Sequence, residues 1–332
     1  MDSRYRAFMA VAQTLSMTQA AKSCFVSPQC ISGHIRSLEK EYSVQLFRRR
    51  PALVLTAEGQ SLFSALQQMK VLENNLETAL DESKPGFHSR ITLGVPMSRY
   101  SVLVPDIVPM VKQRYPNIDI FVNGHFSSEL EEMTVKGELD FAVVVGFVHS
   151  SELATIPLMN DNFYLLMSDS LLESCFSYDK NTTAERFHRR FAIEDFGNIP
   201  LVHYPTVSRM RIAMDQYVAE RGMQLNIIFE SNRSETFDAI ARTGLAAAIV
   251  PQMMLPMTMQ LNKLASPASM LHIFPIDISQ LRYLHTISLA YHKLCHMSAY
   301  RKTFITLMQD IFTRYQNISG FLSPKKEMQP NF

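Results

Sequence analysis

Between residues 27 and 38 the chain sets Gln29, Ser32, Gly33, His34 and Arg36 on one side of a segment whose other side is Ile31, Ile35 and Leu38. Apolar residues three and four apart make the buried stripe of an amphipathic helix, so the polar set must face outward. Their donors and acceptors match base edges. Gln29 can pair bidentately with adenine, Ser32 can use either edge, and His34 or Arg36 can reach guanine or phosphate. Ser27 is placed to be the N-cap of this helix and Pro28 its first residue. Further on, Arg48, Arg49 and Arg50 stand together between Leu46-Phe47 and Leu53-Val54-Leu55-Thr56. A β-rich hairpin carrying three guanidinium groups reads as a wing that grips a phosphate backbone. An exposed basic turn would explain the arginines alone, but beside a capped recognition helix the DNA reading prevails.

Two shorter helical patterns must hold that helix in place. Phe8, Val11, Ala12 and Leu15 recur at helical spacing. After a break at Ser16-Met17, Thr18 and Gln19 open a second helix, and Ala20 and Ala21 let a neighbour approach closely. This is the order of a helix-turn-helix, in which Thr18 and Gln19 join the DNA-facing set. Charge agrees. Residues 1–57 carry eight Lys/Arg against three acids, a net +5, while the whole chain is only +1. A basic module that meets a polyanion is thus joined to a larger module that does not.

The residues Ala10-Val11-Ala12, Ser16-Met17-Thr18-Gln19-Ala20-Ala21, Val26-Ser27-Pro28-Gln29-Cys30-Ile31-Ser32, Ile35-Arg36-Ser37-Leu38-Glu39, Val44-Gln45-Leu46-Phe47 and Leu55-Thr56-Ala57-Glu58-Gly59 closely resemble the LysR family of bacterial transcriptional regulators. Ser43 stands where that pattern usually has a turn glycine, the wing is about one residue short, and Gly33-His34 replaces longer polar residues. From Thr56 to Glu82 the chain reads as one helix, with Leu62, Leu66, Met69, Glu73, Leu76 and Leu80 in a heptad-like seam interrupted by one acid. The seam calls for a second helix. The resemblance implies that this is a partner's linker helix, that a dimer places two recognition helices on a roughly palindromic operator, and that dimers form a tetramer.

Lys84-Pro85-Gly86 ends the helix, and apolar strand patterns alternating with helices follow. Strands are expected at Ile91–Val95, Ile118–Val122, Leu139–Gly146, Phe163–Ser168, Ile199–Val202, Leu225–Glu230, Ala246–Val250, Leu271–Ile276 and Thr286–Tyr291. Such runs indicate parallel sheets covered on both faces. Ile91-Thr92-Leu93-Gly94, Arg114-Tyr115-Pro116, residues 137–142 and residues 243–251 resemble the LysR sensor, which implies a two-subdomain fold like that of periplasmic binding proteins. The expected class is α/β with an N-terminal all-α winged helix-turn-helix. The domains are residues 1–57 for DNA binding, 58–84 for the dimerising helix, 88–316 for the effector, and a loose tail at 317–332. Subdomain one takes 91–160 and 268–316, and subdomain two takes 161–267.

Ligands of open α/β sheets sit beyond the C-terminal strand ends. That places Ser98, Arg99, Tyr100, Ser101, His125, Phe126, Gly146 and Phe147 on one wall of an effector cleft, and Thr206, Ser208, Ser231 and Asn232 on the other. Any one of them serves equally well as a helix or turn cap; together at strand ends they indicate a ligand. The hydroxyls of Ser98 and Ser101 are assigned to an anionic or polar group of a small effector, and Arg99 and His125 favour an anion.

Enzyme chemistry finds no support. There is no P-loop, GxGxxG, HExxH or GxSxG. His188 and His203 have no evident acid or nucleophile beside them, so a catalytic α/β protein with N-terminal dimerising helices is the weaker alternative. His292, Cys295 and His296 have a metal-like spacing without a second ligand cluster, and are read as structural. The twenty methionines read as adaptable core, and no cofactor or metal is expected. No run reaches the ~18 apolar residues of a membrane span. A transporter's solute-binding protein is disfavoured because Met1 leads straight into a helical pattern without a signal peptide. The scattered Cys24, Cys30, Cys175 and Cys295 suit a reducing cytoplasm. The partners expected are an operator duplex, an effector, further copies of the chain and RNA polymerase.

Overall fold

A computed structural model describes residues 1–49, 51–82, 89–176, 191–277 and 286–317. The first apolar patterns form α1 (Ser3–Thr14), α2 (Met17–Ser23) and α3 (Pro28–Tyr42). Ser16 accepts from the Gln19 amide (3.3 Å) and Ser27 from the Cys30 amide (3.2 Å), each satisfying a donor that the helix start leaves open. Phe8, Ile31, Ile35 and Leu38 are fully buried, and Phe8 lies 5.3 Å from Phe47 of the wing. Ser43, at φ +55°, ends α3 in the left-handed conformation a glycine would take more cheaply. The wing pairs β1 (Phe47–Arg48) with β2 (Val54–Leu55).

The long α4 (Ala57–Glu82) grows directly from the wing. At Gly59 a Cβ would stand 2.1 Å from the Leu46 carbonyl oxygen, so helix and wing meet only without a side chain there. Leu66 is buried in the DNA-binding core. Val71 packs against Gly137 of the sensor, Asn74 donates to the Gly137 carbonyl (3.0 Å), and Asn75 accepts from the His296 amide (2.9 Å). The acid that interrupts the seam, Glu73, pairs with the amino terminus. Met69, Leu72, Leu76 and Leu80 remain at least half exposed.

Among the described residues the sensor holds two five-stranded sheets. The first is built from β3 (Ser89–Pro96), α5 (Met97–Arg114), β4 (Ile118–His125), α6 (Ser127–Val135), β5 (Phe141–Val145) and β6 (Leu153–Asn160). The chain then crosses into β7 (Phe163–Ser168), α7 (Asp169–Cys175), β8 (Pro200–His203), α8 (Arg209–Ala219), β9 (Asn226–Glu230), α9 (Ser234–Arg242), β10 (Ala247–Pro251), α10 (Leu255–Leu264) and β11 (Leu271–Pro275). It returns as β12 (Thr286–His292) and α11 (Ala299–Gln316). The strand orders are β4-β3-β5-β12-β6 and β11-β7-β10-β8-β9.

Three expectations need correction. The sheets are mixed: β12 runs antiparallel to β5 and β6, and β7 antiparallel to β10 and β11. The chain changes subdomain at the end where the parallel strands finish, so a strand starting there must run the other way. Second, β6 is a strand absent from the sequence reading; Pro157 lies within it, and only an edge strand tolerates a proline. Third, β11 pairs with β7, so subdomain two extends to residue 275 and does not end at 267. Residues 318–332, expected as a tail, lie outside the described residues. Among those described, no helix is long and apolar enough to cross a membrane.

Candidate functional site

The polar side of α3 forms as its spacing requires. Gln29, Gly33 and Arg36 are exposed, Ser32 is half-buried, and all lie opposite the buried Ile31, Ile35 and Leu38. His34 leans on the flank, its Nε2 3.4 Å from the Cys30 Sγ. Thr18 and Gln19 are exposed at the start of α2, Ser27 and Pro28 at the start of α3, and Arg48 and Arg49 on the wing. Arg50 lies outside the described residues. The described ones thus lie on the solvent-facing parts of α2, α3 and the wing.

In the sensor, the N-termini of α5, α6 and α8 converge on a cavity of about 40 Å³ between the subdomains, bounded by residues 96–99, 125–128 and 207–210 with Val145, Phe163, Tyr204 and Asn232. Three ties close it. At the back, the buried Arg99 pairs with the buried Asp161 (Nε to Oδ2 2.9 Å), and the Met253 amide donates to the same carboxylate (3.1 Å). Burial pushes the Asp161 carboxyl above its usual range, against the pull of the Arg99 charge. On one flank Tyr204 Oη donates to Ser234 Oγ (2.9 Å), and Ser234 donates to the Ser98 carbonyl (2.7 Å). On the other, the Arg209 guanidinium lies 2.7 Å from the Glu131 carboxylate and donates to the Phe147 carbonyl (2.9 Å). Arg209 and Glu131 also line a crevice of about 680 Å³ whose far wall is Ala12 and Gln13 of α1 with Phe63 and Gln67 of α4. Below the cleft sits His203, fully buried, its Nδ1 accepting from the Tyr204 amide (2.7 Å). Burial, aided by the Arg211 charge, lowers its pKa to about 3.

Residues 3–60 match the family model of the bacterial regulatory helix-turn-helix protein, lysR family, and residues 84–313 match the LysR substrate binding domain. The chain belongs to the LysR family. The transcriptional regulator YcgK of Bacillus subtilis, itself uncharacterized, is 22% identical over 255 residues, 73% of this chain and 77% of its own. A full-length OxyR variant from Pseudomonas aeruginosa shares the fold at a TM-score of 0.63 and 18% identity, over 93% of each chain. Full-length CbnR complexed with its target DNA aligns at a TM-score of 0.52 and 16% identity, over 95% of this chain and all of that one. This LysR-type protein is therefore a DNA-binding transcriptional regulator with an effector-binding domain, and not an enzyme.

Of the residues expected in the regulator's cleft, Ser98, Arg99, His125, Phe126, Ser208 and Asn232 share the central cavity. Tyr100 and Ser101 do not; they line a separate depression beside Arg233 and Glu235, where Ser101 Oγ donates to the Glu235 carboxylate (3.2 Å). The Ser101 hydroxyl is thus engaged by Glu235 and lies outside the central cavity. Arg99 is likewise committed to Asp161. Phe147 contributes its carbonyl and Gly146 the left-handed turn before it (φ +78°), while the Thr206 side chain is exposed and Ser231 caps the Arg233 amide (3.1 Å). The sequence reading missed Arg209, Glu131, Asp161, Tyr204 and Ser234. Arg209 had a signal, since it directly follows Ser208 at an expected helix start. The others are paired to residues far away in sequence, and nothing local marks them.

Proposed function

We propose that this LysR regulator acts in the cytoplasm as a dimer joined through α4, assembled further into a tetramer, and that a small anion in the sensor cleft alters its grip on DNA and its contact with RNA polymerase. Residues 1–57 read the operator, 58–84 dimerise and 88–316 sense. Gln29, Ser32, His34 and Arg36 face base edges, while Thr18, Gln19, Arg48, Arg49 and Arg50 hold phosphates. The exposed Met69, Leu72 and Leu76, three and four residues apart, support the helix-to-helix dimer.

The observation that carries the anion reading is the convergence of three helix N-termini with Arg209 on one cavity. Each helix start offers unpaired amides and about half a positive charge. Arg209 adds a full one once it leaves Glu131, whereas Arg99 stays held by the fully buried Asp161. The cavity holds only a few waters at about 40 Å³, so an anion enters by taking Arg209 from Glu131. Glu131 also faces the crevice beneath α1 and α4, so the exchange reaches the surface on which the DNA-binding domain rests. Calorimetric titration of the full chain with small carboxylates, phosphate and sulfate tests this. At least one should bind, and Arg209→Gln should weaken it about tenfold or more, the loss of a charge-assisted bond. Binding of neutral compounds only, or of anions indifferent to Arg209, would refute it.

A further inference from the structure

The turn between α2 and α3 carries an apolar side chain that the fold does not use. Phe25 is 95% exposed, and its φ is +55°. The turn is fixed on both sides of it, the Phe25 amide donating to the Lys22 carbonyl (3.3 Å) and the Val26 amide to the Ala21 carbonyl (3.0 Å). A bulky residue in the left-handed region is strained, and a ring left in water gains nothing from burial. Glycine would avoid both costs at this position. Two independent features, the exposure and the backbone, thus mark a side chain whose use lies outside the folded monomer.

Its surroundings indicate where. Phe25 stands two residues before Ser27, the cap of the recognition helix, and four before Gln29, the first exposed polar residue of that helix. Lys22, exposed on the last turn of α2, lies on the other side. The ring thus stands exposed at the entry to the recognition helix, and it has no donor with which to hold a phosphate. The one apolar group that a major groove offers is the 5-methyl of thymine. We infer that Phe25 is a base-reading residue that packs its ring on a thymine methyl beside the bases met by the first turn of α3. This rests on the DNA-binding reading and adds to it a contact of a different kind, apolar and insensitive to salt.

The probe is a duplex selected by the full chain from a random pool, with each thymine replaced in turn by deoxyuridine, which removes only the methyl. Wild-type protein should lose about fourfold in affinity at one thymine per half-site, the worth of one buried methyl group. Phe25→Ala should bind the parent duplex about ten- to thirtyfold more weakly and be indifferent to deoxyuridine at that thymine. Its salt slope should match wild type, whereas Arg49→Ala, which removes a phosphate contact, lowers the slope by about one per subunit. Phe25→Gly should lose the same affinity with a melting temperature equal to or above wild type, which separates DNA contact from folding. Wild-type affinity in both variants would overturn the inference and leave DNA binding intact. A loss of the same size at every deoxyuridine duplex, shrinking at none, would overturn the methyl contact. Failure of the wild-type chain to select any duplex would remove the DNA reading as well.

Discussion

Lowering the pH from 7 to 5 should loosen subdomain two through His203. The imidazole is fully buried and its pKa is held at about 3, against an ordinary value near 6.5. Its Nδ1 accepts from the Tyr204 amide, so protonation there would set two donors against each other. In the unfolded chain the group takes up its proton near pH 6.5, and in the folded chain only near 3. Between those values the unfolded state binds more protons, so stability is full above 6.5 and falls as the pH falls. At about 1.36 kcal/mol per unit, the loss between pH 7 and pH 5 is about 2 kcal/mol. The assay is hydrogen exchange at the β8 amides, corrected for intrinsic rates, in wild type and in His203→Asn, whose side-chain oxygen can still accept from Tyr204. Wild-type opening should become about thirtyfold more frequent at pH 5, and the variant should show little of that change. An equal pH response in both proteins would refute the assignment. Because Tyr204 leads through Ser234 to the Ser98 carbonyl, the same acidification should weaken one of the ties across the cleft.

Leu76→Glu on α4 places a charge in the exposed apolar row, and light scattering should show the solution mass fall to that of a smaller assembly, with operator affinity at least about tenfold lower. An unchanged mass would mean that α4 is not the dimer seam. Glu131→Gln removes the competing counter-ion of Arg209, so the Kd for the best anion of the panel should fall several-fold by calorimetry; a weaker or unaltered Kd counts against the exchange mechanism. Ile35→Ala should cost about 2–5 kcal/mol in the DNA-binding domain. Circular dichroism should then show an early transition lost from the helix-turn-helix while the sensor still melts at its wild-type temperature.

The helix-turn-helix was legible because its determinants are local. The caps at Ser16 and Ser27, the stripe of Ile31, Ile35 and Leu38, and the proline at the helix start each act within one or two turns. The strands β5, β7 and β10, buried along their whole length, announced themselves by unbroken apolar runs. What the sequence hid is what depends on partners far along the chain. The edge strand β6 alternates and contains a proline, so its identity rests on pairing with β12. Arg99 is 62 residues from Asp161 in sequence, and Arg209 is farther still from Glu131. The reading placed hydroxyls and a free guanidinium in the cleft; the fold neutralises that guanidinium and offers another from the opposite subdomain. Glu73 looked like a flaw in a coiled-coil seam until the amino terminus arrived beside it.

The second sheet also says something about how such a chain can change. It begins at β7 and ends at β11, and these two strands are hydrogen-bonded neighbours, with Tyr164 opposite Pro275. The segment therefore leaves and rejoins its host at nearly one point. A unit attached in this way can be exchanged for a homologous one without rethreading the first sheet or moving the helix that carries the DNA-binding domain. Half the wall of the cavity would change with it, Arg209 and Tyr204 included, while Glu131 and the rest of the crevice below α1 stayed in place. Recognition of a new ligand and delivery of its signal would then be separately inherited, one by transplant and the other by retention.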